Sequence, residues 1–315
     1  MNFEECFHTF KFILMEGALS ERLKREFHIN SNNRIGLAEH IYNHQASQIL
    51  LLLFKQYIDI AEKFDLPIML TTPTRRANQE RVLSSPYKNN NVIWDNVEHL
   101  MKLKKETSTS VYIGGLMGCK GDAYSITEVL SIDQALKFHS WQTDLFAQAK
   151  VDFLYAGIMP ALSEAIGMAK AMELTGLPYI ISFMIRQDGK LIDGATINDA
   201  IEAIDSNTTH RPLCYMTNCV HPQVLHRALS CEFNKTDVVK KRFKGIQANT
   251  SSLSPEELDL CCDLKTSDSI CLSEDMMKLY QDFELKIFGG CCGTNNTHIE
   301  EIAKKLDLII HPETF

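Results

Sequence analysis

Apolar runs of strand length alternate with amphipathic stretches of helix length along the whole chain. Near-continuous β-favouring runs that end in Gly, Asn, Thr or Pro occupy 11–17, 67–73, 110–116 and 151–157. Four more lie at 178–184, 212–218, 243–249 and 284–290, which makes eight. Between them, 38–64, 131–149 and 163–174 carry the spacing of helices with one apolar face. Strands that are apolar on both faces belong to a sheet covered on both sides, hence to parallel βα units. Eight such units are the number that closes a (β/α)8 barrel. An open doubly wound sheet is the other arrangement with this rhythm, but no GxGxxG follows the first run. No linker, low-complexity tract or composition break divides the chain, so one barrel domain over 1–315 is expected. A Ser-Pro-Glu-Glu sequence at 254–257 has the form of a helix start within the least regular segment, 249–275.

Composition narrows the setting. The chain has 315 residues, 45% hydrophobic and 23% charged, which is ordinary globular usage. A net charge of -8 gives no basic footprint for nucleic acid or an anionic membrane surface. The first residues carry Glu4, Glu5 and His8 where a secretory signal needs a basic start and a clean apolar stretch. The apolar run at 50–54 sits inside a helical pattern and is far shorter than a membrane span. A cytoplasmic protein is expected, and its ten cysteines are then mostly reduced thiols.

In a barrel of this kind the chemistry gathers where strands end, at the C-terminal face. Cys219 closes the sixth run, in YMTNCVHP, and Cys291 and Cys292 close the eighth, in IFGGCCGTNNTH. Adjacent cysteines are poorly placed to bridge each other. The sixth and eighth strands are two apart in the ring, so their ends can converge over one mouth. Three thiolates with a fourth position open describe a catalytic zinc site. Gly289, Gly290 and Gly293 would let the backbone bend so that neighbouring thiols face one ion. On spacing alone a second reading stands beside this one, three buried cysteines near glycine turns, because no CxxC knuckle is present. Cys261 and Cys262 form another adjacent pair in a helical pattern without glycines, and read as packing. His221 reads as a solvated or supporting loop residue, and His139 and Gln142 as helix packing. Arg75 and Arg76 read as an exposed pair by default, although a cation just past a strand end can meet a carboxylate or phosphate.

TNCVHP together with GGCCGTNNTHIEEIAKKL resembles the homocysteine S-methyltransferase family of zinc-dependent barrel enzymes. MEGALSERL, LTTPTRRAN, GGLMGCKGDAY, HSWQ and GIQAN are similar to family segments in the expected order, so the resemblance covers nearly the full chain. It implies that Cys219, Cys291 and Cys292 hold Zn2+ and are catalytic. Glu16, Gly17, Thr72, Asn218 and Asn249 would surround the substrate. The implied reaction moves a methyl group from a small sulfonium or ammonium donor to a thiol, homocysteine, giving methionine. Two departures stand out. Glu16 replaces the family's aspartate with a longer arm, and Gly157 stands where the family has a glutamate that helps hold the amino group of homocysteine. These changes keep two alternatives open, another thiol or selenol acceptor or a corrinoid-linked methyl system, and a zinc-holding barrel without catalysis. Only a short tail follows the cysteine motif, so no appended folate or cobalamin domain is expected, and the donor would be small or carried by a separate protein.

Overall fold

A computed structural model describes residues 1–31, 34–251 and 268–312. Eight parallel strands close into a barrel in sequence order. They are β1 (Ile13–Met15), β2 (Ile68–Thr71), β3 (Val111–Met117), β4 (Phe153–Met159), β5 (Tyr179–Phe183), β6 (Cys214–Val220), β7 (Phe243–Ala248) and β8 (Ile287–Gly290). Each falls within or across one of the eight apolar runs. Closure is made by β1 and β8, with Ile13 opposite Ile287 and Leu14 opposite Phe288.

Alternation along each strand sorts the side chains into two cores. Ile13, Met15, Met69, Tyr112, Phe153, Tyr155, Ile180, Cys214, Met216 and Ile287 form the inner cluster. The other set packs outward against the helices in a larger core. At the N-terminal end a short helix, Phe3–Thr9, acts as a plug: Phe3, Cys6 and Phe7 share one face and are buried in the inner cluster. Phe3 stacks on Phe153 with ring centroids 4.3 Å apart. An Asn2–Glu5 capping box fixes where the plug begins.

The amphipathic segments 131–149 and 163–174 form helices Ile132–Gln148 and Leu162–Glu173. The segment 38–64 is not one helix. It divides into a 3-10 turn, Gly36–Tyr42, and a helix, His44–Lys63, because the Asn43 side chain accepts a hydrogen bond from the Ala46 amide and starts the second element afresh. Apolar periodicity runs through the join, and only the cap residue marks it. The 254–257 helix start, Cys261 and Cys262 lie outside the described residues. Among the described residues no helix is long and apolar enough to cross a membrane.

Candidate metal centre and active site

The sulfurs of Cys219, Cys291 and Cys292 lie within 4.8 Å of one another at the C-terminal mouth of the barrel. How β6 delivers its cysteine is not evident from alternation. Met216 belongs to the inner cluster and Asn218 lines the mouth, so a regular strand would turn Cys219 outward. The pairing of β6 with β7 shifts register between Asn218 and Val220, and Cys219 has φ 59°. That bulge turns Cys219 into the same cavity that Asn218 lines. A left-handed conformation is unfavourable for a side chain other than Gly, Asn or Asp, and such strain collects at functional sites.

On β8 the glycines do different work from each other. A Cβ at Gly290 would collide with the Thr294 side chain, whose hydroxyl donates to the Cys291 carbonyl at 2.7 Å. Gly293 has φ 82°, and a Cβ there would strike Thr250. The chain therefore turns back on itself within three residues, and Thr294 also accepts from the Ala18 amide at 3.1 Å. Asn249 joins the two cysteine loops. Its amide donates to the Cys219 carbonyl at 2.9 Å, while its oxygen accepts from the Cys292 amide at 3.1 Å.

Three sulfurs around a tetrahedral zinc with bonds of about 2.3 Å stand roughly 3.8 Å apart. Cys291 and Cys292 are separated by 4.0 Å. Cys219 and Cys291 are in direct sulfur contact, with Cα atoms 5.5 Å apart. Among the described residues Cys6, Cys119, Cys214, Cys231, Cys271 and Cys292 are unbridged, as expected of reduced thiols. Burial pushes the Cys292 thiol up to about 11, Glu21 adds to this, and Arg75 opposes it. A half-buried thiol raised in this way ionises when a cation supplies the missing charge. Soft donors, spacing and burial together fit a metal ion of zinc type.

A cavity of about 400 Å³ opens above these sulfurs. Its wall includes Glu16, Gly17, Thr72 and Asn218 together with all three cysteines. Glu16 is 3% exposed, and one of its carboxylate oxygens accepts from both the amide and the hydroxyl of Thr71. The other oxygen is buried without a partner among the described residues. Burial raises the Glu16 carboxyl to about 7 despite the Thr71 hydrogen bonds. Thr72 is fully buried and its hydroxyl is taken up by Thr74 at 2.7 Å and by the Leu116 amide at 3.0 Å. Asn218 accepts from Ser182 at 2.6 Å. Asn249, by contrast, spends its side chain on the two cysteine loops and is not part of the cavity wall.

Several contributors were not singled out from sequence. Thr71 orients Glu16. Tyr155 donates to Gln247 at 3.1 Å across the barrel, and both reach the cavity. Period-two alternation from Gly245 through Gln247 could have found the glutamine. Ile158 lines the cavity with φ 35°, at a register shift in β4. Gly157, one residue earlier, is not in the left-handed region, and a Cβ there would lie 2.7 Å from Leu116 Cδ1. Leu116, itself part of the cavity wall, thus packs against the position of the lost acid.

His139 and Gln142 are buried in support of this mouth. His139 meets Glu164 at 3.1 Å, Glu164 accepts from the Lys120 amide at 2.7 Å, and Gln142 donates to the Thr74 carbonyl at 3.2 Å. Of the two readings of His221, solvated or supporting, solvation does not hold: it is 5% exposed and caps the helix Pro222–Ser230 by accepting from the Gln223 amide. Burial lowers its pKa, which keeps the accepting nitrogen free of a proton.

The molecule is thus a parallel (β/α)8 barrel with three cysteine sulfurs gathered in its C-terminal mouth. Residues 13–306 match the sequence model of the homocysteine S-methyltransferases, and the chain belongs to that family. No curated protein matches the sequence. Among solved structures it is similar to the metallated form of the homocysteine methyltransferase MmuM from Escherichia coli, at 15% identity and a TM-score of 0.75, over 96% of this chain and 98% of that one. The oxidized form of the same protein gives 16% identity and a TM-score of 0.75 over 95% and 97%. At these identities the likeness concerns the fold.

Proposed function

We propose that this chain is a zinc-dependent S-methyltransferase whose acceptor is homocysteine. The observation that carries the reading is the meeting of Cys219, Cys291 and Cys292 beneath a cavity walled by the half-satisfied carboxylate of Glu16. Zinc bound by the three sulfurs would act as a Lewis acid and hold the acceptor thiol as its thiolate at neutral pH. Glu16, fixed through one oxygen by Thr71, offers the other to the ammonium of the acceptor. Tyr155, Leu116 and Ile158 supply the apolar wall that excludes water around the sulfur. In the transfer a new S–CH3 bond forms as the donor's C–S or C–N bond breaks. The acceptor thiol proton leaves to solvent, and the departing electron pair neutralises the cationic donor. Holding both reactants at attack distance accounts for most of the acceleration, since a sulfonium or ammonium leaving group needs no further acid. Small molecules are its partners, and the need for reduced thiols suits the cytoplasm.

The test is a matrix of thiols against S-methylmethionine, S-adenosylmethionine and betaine, read by mass spectrometry on zinc-loaded protein. Methylated homocysteine is expected with at least one donor, and Cys→Ser at 219, 291 or 292 should abolish both zinc retention and product. Zinc-loaded protein that methylates no thiol would overturn the reading in favour of a binding protein.

A further inference from the structure

Arg75 and Arg76 follow β2 directly and line the same cavity as the three cysteines and Glu16. Both are half-buried, unlike the solvated pair that their sequence position suggests. Among the described residues neither guanidinium has an ion-pair or hydrogen-bond partner, and the Nε of Arg76 is buried with nothing to donate to. Their stems are held by close approach to glycine backbone. A Cβ at Gly118 would lie 2.8 Å from Arg75 Cγ, and one at Gly36 would lie 3.4 Å from Arg76 Cδ.

Among the described residues no acid pairs with either guanidinium. Burial and the charges of Arg81 and Arg75 all disfavour the charged form of Arg76, and of the acids Asp122 acts most in its favour. Glu80, the closest acid in sequence, pairs instead with Lys120 at 3.7 Å. The second acid in the cavity wall, Glu21, is engaged by the Gly293 amide on the cysteine side. Two adjacent guanidinium groups held in a cavity without an ion-pair partner among the described residues form a receptor for a planar anion, which can accept two donors at once from such a fork.

Resting on the methyl-transfer reading for the identity of the ligands, we infer that Arg75 and Arg76 bind the carboxylate of a substrate. Either reactant can bring that group: the acceptor thiol if it is an amino acid, or the methyl donor if it carries a carboxylate. The anion lies at the arginine wall in both cases, and the arms of the experiment separate the two sources.

Zinc-loaded full-length protein and its Arg75→Met, Arg76→Met and Arg76→Lys variants are compared on matched pairs that differ only in the carboxylate. The acceptor pair is homocysteine and 3-aminopropane-1-thiol. The donor pair is S-methylmethionine and (3-aminopropyl)dimethylsulfonium. In the wild type, loss of the carboxylate should raise KM or Kd about tenfold or more in one arm, the lower end for a hydrogen bond to a charged group. That ratio should collapse towards one in Arg76→Met and be only partly kept in Arg76→Lys, which retains charge but not the fork. Collapse in the acceptor arm assigns the thiol's carboxylate, and collapse in the donor arm assigns the donor's. Calorimetric binding of all four compounds requires no turnover, so failure of methyl transfer leaves this test intact. A wild type indifferent to the carboxylate in both arms, or Arg variants that keep the full ratio, would overturn the inference.

Discussion

Replacing Glu16 by Gln tests how the cavity treats an unpaired carboxylate. Folding moves the Glu16 carboxyl from 4.5 to about 7, chiefly through burial. A raised acid is protonated more readily in the folded state, so the folded chain binds the extra proton between these two values. Stability linked to Glu16 is therefore fully present below about pH 4.5 and is lost as pH rises through about 7. A carboxyl carried from 4.5 to about 7 corresponds to ~3 kcal/mol. Gln cannot ionise, yet its oxygen can still accept from Thr71. Metal-free Glu16→Gln should thus be more stable than the wild type by up to ~3 kcal/mol at pH 8 and nearly equal to it at pH 4.5. Buried histidines such as His139 also contribute to pH dependence, but they are common to both proteins and cancel in the difference. Urea unfolding of both proteins from pH 4.5 to 8, with matched m-values, measures that difference. Binding of an amino thiol should reverse the ranking at pH 8, because its ammonium supplies the partner that the free oxygen lacks. A difference that stays constant with pH would refute the account of Glu16 as an ionised group left without a counter-charge.

Two further outcomes follow from the loops around the sulfurs. Asn249→Ala removes both hydrogen bonds that tie the Cys219 and Cys292 loops, and should weaken zinc binding roughly 10–100-fold in a chelator competition while circular dichroism is unchanged; unaltered affinity would make Asn249 a bystander. Gly293→Ala forces a side chain into a residue with φ 82° and against Thr250, so it should lower unfolding free energy by at least ~1–2 kcal/mol, whereas Gly176→Ala, where no atom lies within 4 Å of the added Cβ, should show the left-handed penalty alone.

The eight strands were legible because a parallel barrel buries both faces, so each strand is an apolar run with a polar or small residue where it meets the mouth. Legibility fell wherever a single residue changes direction. The Asn43 cap inside 38–64 leaves the apolar period intact, and the plug Phe3–Thr9 is too short to declare itself by periodicity. At the centre itself the cysteines could be named, but spacing alone could not decide between ligation and packing. What brings the three sulfurs together is a bulge that turns Cys219 into the cavity beside Asn218, and a bulge has no sequence period of its own. Exposure was the other weak point. Arg75, Arg76 and His221 carry polar side chains next to Pro or a strand end, where solvent is the default, and each is at least half-buried.

The two departures from the family pattern, Glu16 and Gly157, can be understood as one change rather than two losses. With Gly157 in place of an acid, Leu116 packs against that position and Ile158 faces the cavity, so one wall is apolar. The longer Glu16 remains as a lone carboxylate with one oxygen fixed and one free. An ammonium bound there would lie between an acid on one side and hydrocarbon on the other, where a single charged hydrogen bond is stronger than in water. Under the proposed reading the cavity receives sulfur at Cys219, Cys291 and Cys292, a positive group at Glu16, and the carboxylate of one reactant at Arg75 and Arg76. A ligand carrying all three groups is a sulfur amino acid, and one lacking any of them would leave a buried charge or an ion without its partner. Selectivity in such a pocket comes from the penalty for an unpaired charge, so the loss of one family acid need not loosen it while Glu16 remains desolvated.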